Sequence, residues 1–209
     1  MKAKGRPRAF DRDQALARAM EVFWVRGFEG ASLAELTQAM GINPPSLYAA
    51  FGCKEQLFHE AVELYTRTEG TEIWPAVASA ASARAAVHAF LHQSALSFSR
   101  PDKPAGCLIV LSGLHSADTH PAVAAALRDH RADNVEQLRE VLDRAVAAGE
   151  LPPGIHNTAI ATFYATVQQG MSIQARDGAD RATLLGVADA AMASWSALTS
   201  PPTARIRAL

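Results

Sequence analysis

Hydrophobic positions in this chain recur every three or four residues along most of its length, the spacing of helices that bury one face. The first run follows Asp11, a cap with Gln14 three residues on, and carries Leu16, Ala19, Met20 and Phe23 before Gly27-Phe28 signals a stop. Ser32-Leu33-Ala34-Glu35 is a capping box that opens a short helix to Met40, and Gly41 ends it. Asn43 caps the next helix, with Pro44 at the first helical position, where a missing N–H costs nothing. That helix runs through Ser46, Leu47 and Tyr48 to Phe51 and stops at Gly52. Cys53-Lys54-Glu55-Gln56 then starts a longer helix that continues past Tyr65.

Five or six further helices are predicted. Residues 82–99 form an amphipathic run closed by the proline-marked loop Arg100-Pro101-Asp102-Lys103-Pro104, and residues 106–115 are short and apolar. Residues 121–149 make a long helix with a charged outer face, about 43 Å at 1.5 Å per residue. Leu151-Pro152-Pro153-Gly154 breaks the chain, and helices over 158–176 and 181–198 follow, separated by Asp177-Gly178. No segment alternates as a strand does and nothing repeats, so the expected fold class is all-α.

Composition narrows the picture. In 209 residues, 49% hydrophobic and 20% charged is ordinary for a globular chain of one or two domains. Two cysteines exclude a disulfide scaffold and point to a reducing compartment, the cytoplasm. The longest charge-free stretch, 151–175, is interrupted by Pro152, Pro153, Asn157, Gln168 and Gln169, so no membrane span is expected, and no apolar leader follows the basic start. The net charge of −1 conceals an asymmetry: residues 1–26 hold seven Lys/Arg against three acids, a net of +4, which leaves −5 for the rest. Lys4, Arg6 and Arg8 make residues 1–9 a basic arm suited to phosphates or a minor groove, against the plainer reading of a solvated terminus.

Residues 32–51 carry the chemistry. Two short helices meet at the three-residue turn Gly41-Ile42-Asn43, the geometry of a helix-turn-helix. Ala39 and Gly41 are small where the helices approach, and Leu33, Leu36, Ile42 and Leu47 supply internal contacts. The second helix projects Pro45, Ser46 and Tyr48 outward, toward a major groove. An ordinary helical hairpin would explain the apolar spacing but not so short a helix displaying these residues.

Phe23, Gly27-Phe28, Ser32, Ala39, Gly41, Ser46-Leu47-Tyr48, Phe51 and Lys54-Glu55-Gln56-Leu57 resemble the N-terminal signature of the tetracycline-repressor (TetR/AcrR) family, over a match from about Asp11 to Tyr65. The resemblance implies a three-helix DNA-binding head at 10–66 and a larger helical effector-binding and dimerisation body at 67–199, with a tail at 200–209. Gly170 to Gly178 also resembles the joint between that family's last two helices. By the same resemblance Ser32 would contact phosphate, Ser46 and Tyr48 would lie on the DNA face with Pro45, and Lys54 would contact the DNA backbone. Two departures stand out: Pro44-Pro45 stiffens the recognition helix and removes donors, and Thr37 replaces a small apolar residue.

The resemblance further implies a homodimer through the last two helices, reading a near-palindromic double-stranded operator. Two stripes permit it: Ala159, Thr162, Thr166, Gly170 and Ile173 on one helix, and Leu184, Val187, Ala191 and Trp195 on the other. An effector pocket is implied as well, expected to be mostly apolar and roughly 300–1,000 Å³. Trp74, Phe90, Ser94, Cys107, Leu111, His115, Phe163, Tyr164 and Gln168 are its candidates, each of which would serve equally as core.

Cys107 stands in a segment that resembles the one in electrophile- and oxidant-sensing members of the family. A helix N-terminus and nearby Lys103 would favour its thiolate; the plainer reading is a small buried hydrophobe. Cys53, a Ser-like cap beside Lys54, is the second candidate redox sensor. His88 and His92 have ligand spacing but no third partner, so no metal is expected. With no phosphate loop, catalytic triad or HExxH, neither a cofactor nor enzymatic activity is expected. The function expected is that of a ligand- or thiol-responsive DNA-binding repressor with an unidentified small-molecule effector. Its rivals are a helical small-molecule binding protein that has lost DNA binding, and a helical enzyme.

Overall fold

In a computed structural model, which describes residues 10–112 and 119–201, every regular element is a helix. The head is α1(Arg12–Gly30), α2(Leu33–Met40), α3(Pro44–Phe51) and the start of α4(Lys54–Thr68). The body continues with α5(Ile73–Ala78), α6(Ala83–Phe98), α7(Leu108–Leu111), α8(Pro121–Ala147), α9(Asn157–Arg176), α10(Arg181–Ala193) and α11(Trp195–Leu198). Lys4, Arg6, Arg8, His115 and most of the tail lie outside the described residues.

The predicted caps are the ones used. Asp11 accepts from the amides of Asp13 and Gln14, and the Ser32–Glu35 box forms in both directions. Asn43 accepts from Ser46 N at 2.9 Å. Gly27 has a φ of 69° and kinks α1, but helical turns resume to Gly30 rather than stopping. Phe28 folds inward there, packing edge-on against Phe58 with ring centroids 5.1 Å apart. Gly41 takes the left-handed conformation at the end of α2, which bends the chain into α3. Thr37 is buried without penalty, because its hydroxyl donates to the carbonyls of Leu33 and Ala34.

Three elements differ from expectation. α5 was not predicted: it is six residues long with no side-chain cap, so it lacks the signals that mark the others. The short apolar helix spans only Leu108–Leu111, and the final helix breaks at Ser194 into α10 and α11. Leu184, Ala191 and Trp195 face the chain's own core, which corrects their assignment to a partner-facing stripe. On the opposite side, Ala159, Thr162, Phe163, Thr166, Gly170 and Ile173 of α9 are all exposed, as are Gly186 and Val187 of α10.

Head and body share one continuous core, and their seam is hydrogen-bonded. Trp24 Nε1 donates to Gly106 O at 3.1 Å, Gly106 N to Phe98 O at 3.0 Å, and Cys107 N to Ser172 Oγ at 2.8 Å. Arg176 reaches across from α9 to the carbonyl of Trp24. Gly106 is required there: its φ is +81°, and a Cβ would lie 2.6 Å from the backbone oxygen of Ser172.

Candidate nucleic-acid interface

α2 and α3 pack through Leu36 and Leu47, both fully buried, with Ile42 in the turn half-buried against the core. The anchoring apolar residues of α3, Leu47 and Phe51, point inward; Pro45, Tyr48 and Ala49 therefore share the outward face, at i, i+3 and i+4. Tyr48 is 47% exposed. Ser46 is half-buried, its amide capped by Asn43.

A side chain of α1 holds this surface from behind. Arg12 pairs with Glu60 at 2.7 Å, donates to Ala50 O at 3.2 Å and lies 4.3 Å over the Phe51 ring. It ties the start of α1 to the end of α3. Ser32 is committed to its capping box, donating through its hydroxyl to Glu35 Oε2 at 2.8 Å. The Ser32 backbone and side-chain bonds hold the Glu35 carboxyl below its usual range. Lys54 does not project freely: its ammonium sits 4.5 Å over the Phe28 ring, and burial lowers its pKa despite Glu29 nearby.

Next to Lys54, the body grips the head. His120, just before α8, places Nδ1 2.7 Å from Glu55 Oε1 and Nε2 3.8 Å from Glu29 Oε1, and stacks edge-on against Phe28. Nothing in the sequence marks this contact, because Glu29, Glu55 and His120 meet only in three dimensions.

The far end of α4 enters the wall of a body cavity of about 260 Å³. Tyr65, Glu69, Ile73, Trp74, Ser97, Phe98, Cys107, Ile109, His130, Asn134, Gln137 and Gln168 line it. It is smaller and more polar than the expected apolar pocket. Of the candidates, Trp74, Cys107 and Gln168 line it. Phe90 is buried behind Trp74, Ser94 and Tyr164 are buried in the core, and Leu111 packs by Gly106. Phe163 is exposed on the far face of α9. Asn134, Gln137 and His130 were missed because α8 reads as a solvated charged helix. A larger groove of about 610 Å³ between α1 and α2, lined by Arg18, Val22, Val25 and Gln38, is open along its length and encloses little.

Cys107 is buried at the start of α7. Burial pushes its thiol pKa up, with the facing Tyr65 hydroxyl only partly offsetting, and Tyr65 itself is raised well above its ordinary value by burial. Lys103 is no partner for it, since its ammonium pairs with Glu69 at 2.7 Å, beside Arg100 at 2.9 Å from the same carboxylate. Cys53 is exposed, and its sulfur accepts from Gln56 N at 3.5 Å. His88 and His92 stack 5.5 Å apart, and no group of three potential ligands forms among the described residues. No described helix is long and apolar enough to cross a membrane.

Comparison with known proteins gives two family matches. Residues 15–61 match the model of bacterial regulatory proteins, tetR family, and residues 83–194 that of the tetracyclin repressor-like C-terminal domain. The chain is 34% identical over 198 residues to the HTH-type transcriptional repressor ComR of Escherichia coli (strain K12), covering 94% of each. It is 34% identical over 174 residues to the repressor BdcR of the same organism, covering 83% of each. Among solved structures, a cysteine mutant of the TetR family transcriptional regulator CifR, complexed with 26-bp double-strand operator DNA, is 47% identical. Its TM-score is 0.87, over 91% of this chain and 100% of that one.

Proposed function

The chain belongs to the TetR family of bacterial regulatory proteins, and from that premise we propose that it is a repressor that binds operator DNA as a homodimer. It is a DNA-binding transcriptional regulator. The observation that carries the reading is the outward face of α3, where Pro45, Tyr48 and Ala49 are held out by a buried Leu47 and Phe51 on a helix-turn-helix. Residues 10–66 act as the head and 67–199 as the body. The exposed small-residue face of α9 with Gly186 and Val187 of α10 is the dimer surface, because among the described residues no other element comes within 4 Å of a Cβ placed at Gly170 or Gly186. A dimer presents two copies of α3 to half-sites about one helical turn, ~34–36 Å, or a multiple apart.

The body cavity is the effector site, in a protein with no catalytic role. α4 supports this, since it carries Lys54 and Glu55 at the head and Tyr65 in the cavity wall, with Glu69 just past its end. A ligand that favours one setting of α4 shifts the spacing of the two heads, to the extent that it binds the two settings differently. Gln168 is buried and lines the cavity, an amide available to an incoming ligand. A thiol response is the second reading, favoured only by the position of Cys107 in the same wall. The cytoplasm, where operator DNA lies, is the proposed location.

The test is a gel shift on the DNA upstream of the protein's own gene at several salt concentrations. Sequence-selective binding that weakens steeply with salt is expected. Binding that is indifferent to sequence, or no binding, refutes the repressor reading. Cys107→Ser separates the two effector readings: loss of N-ethylmaleimide release with retained ligand release assigns Cys107 to a thiol sensor.

A further inference from the structure

The recognition helix lacks the side chains that ordinarily read purines. α3 is Pro44-Pro45-Ser46-Leu47-Tyr48-Ala49-Ala50-Phe51, with no Arg, Lys, Asn, Gln, Asp or Glu. No residue on it can make the bidentate contact that picks out guanine or adenine in the major groove. Its backbone adds nothing, because Pro44 and Pro45 have no N–H and the next two amides are occupied. Ser46 N donates to Asn43 Oδ1 and Leu47 N to Asn43 O. What α3 presents is an apolar face of Pro45, the Tyr48 ring and Ala49, with the hydroxyls of Ser46 and Tyr48 as its polar groups.

Hydroxyls both donate and accept, so they bond to several bases and discriminate weakly. Among major-groove edges, thymine alone offers an apolar group, the C5-methyl. We propose that this face of α3 reads thymine methyl groups, through van der Waals contact with Pro45, Tyr48 and Ala49, and that A·T pairs are the discriminated positions beneath α3 in each half-site. The proposal rests on the DNA-binding reading above. It assigns the specificity of that binding to shape and apolar contact rather than to paired hydrogen bonds.

The experiment selects a duplex from a random pool of natural DNA with the full chain and locates the protein by footprinting. The half-sites are then resynthesised with uracil for thymine beneath α3. This removes only the methyl groups and leaves the phosphates and minor groove unchanged. Loss of one buried methyl is expected to weaken binding about fourfold, and one in each half-site on the order of tenfold to twentyfold. A uracil duplex bound within twofold of the thymine duplex overturns the proposal, as do selected half-sites with only G·C pairs beneath α3. Enrichment of no sequence at all instead overturns the DNA-binding reading, and the proposal with it.

A double variant supplies the protein side of the test. Pro45→Ser with Ala49→Ser changes only exposed positions, and the thymine-over-uracil preference is expected to fall to within twofold. Retention of the full preference in that variant overturns the assignment to this face.

Discussion

Replacing Gly106 with alanine tests the seam between head and body. The residue's φ of +81° is a conformation that costs an L-residue roughly 1–2 kcal/mol. An added Cβ would also sit 2.6 Å from Ser172 O and 2.8 Å from Leu111 Cδ1, so backbone must shift. Overpacking of this kind costs about 1–3 kcal/mol. A shift would loosen the bonds that Gly106 O accepts from Trp24 and that Cys107 N makes to Ser172. Against this, alanine lowers the entropy of the unfolded chain, a gain of about 0.4–1 kcal/mol. Gly106→Ala is therefore expected to destabilise the protein by about 2–4 kcal/mol. Gly149 is the control: its φ is +75°, but nothing lies within 4 Å of its Cβ position, so only conformational strain remains. Gly149→Ala is expected to cost about 1 kcal/mol or less. Urea unfolding of both variants at one protein concentration measures the difference, the fixed concentration being needed because association adds to stability. Equal losses in the two variants would refute the argument that contact with Ser172, rather than φ, sets the requirement at Gly106.

Limited N-ethylmaleimide labelling of the native protein at pH 7, read by peptide mass spectrometry, should modify exposed Cys53 about tenfold or more faster than buried Cys107; equal rates would contradict the burial described. The raised pKa values of Cys107 and Tyr65 favour their neutral forms in the folded state. Their contribution to stability is thus full below the unfolded cysteine pKa of about 8.5 and declines as pH rises above it. Urea midpoints from pH 7 to 10 should fall, less so in Cys107→Ser, and a rise would reverse the sign. His120→Ala removes the body's contact with Glu55 and Glu29. Hydrogen exchange should quicken at the start of α4 and the end of α1 while α9 is unchanged; uniform protection would show that the contact holds nothing.

Much of the head can be read from local chemistry. Asp11, Ser32, Asn43 and Cys53 each cap the helix that follows them, and Gly41 ends α2, because capping involves backbone within four residues. Periodicity likewise places Leu47 and Phe51 inward, and thereby Tyr48 outward. α5 escaped because it has neither a side-chain cap nor the length to show a period. The cavity lining was legible only in part: of the candidates, Trp74, Cys107 and Gln168 line it, whereas Phe90, Ser94 and Tyr164 lie in the core, since helical spacing gives a buried residue the same pattern whether a cavity or a neighbour faces it.

The amino-acid sequence by itself determined the capped helices of the head, the turn between α2 and α3 and the apolar composition of α3, because each depends on neighbours a few residues away. Tertiary structure alone decided the rest. Lys103 was free to activate Cys107 until Glu69, 34 residues away, claimed it. Leu184 could face a partner until α10 packed against α6 and α9, and Trp195 until it met Tyr164 of α9. Glu29, Glu55 and His120 became a grip between body and head only when three distant segments met. Burial and charge pairing are properties of the packed chain, and no local pattern encodes which partner arrives.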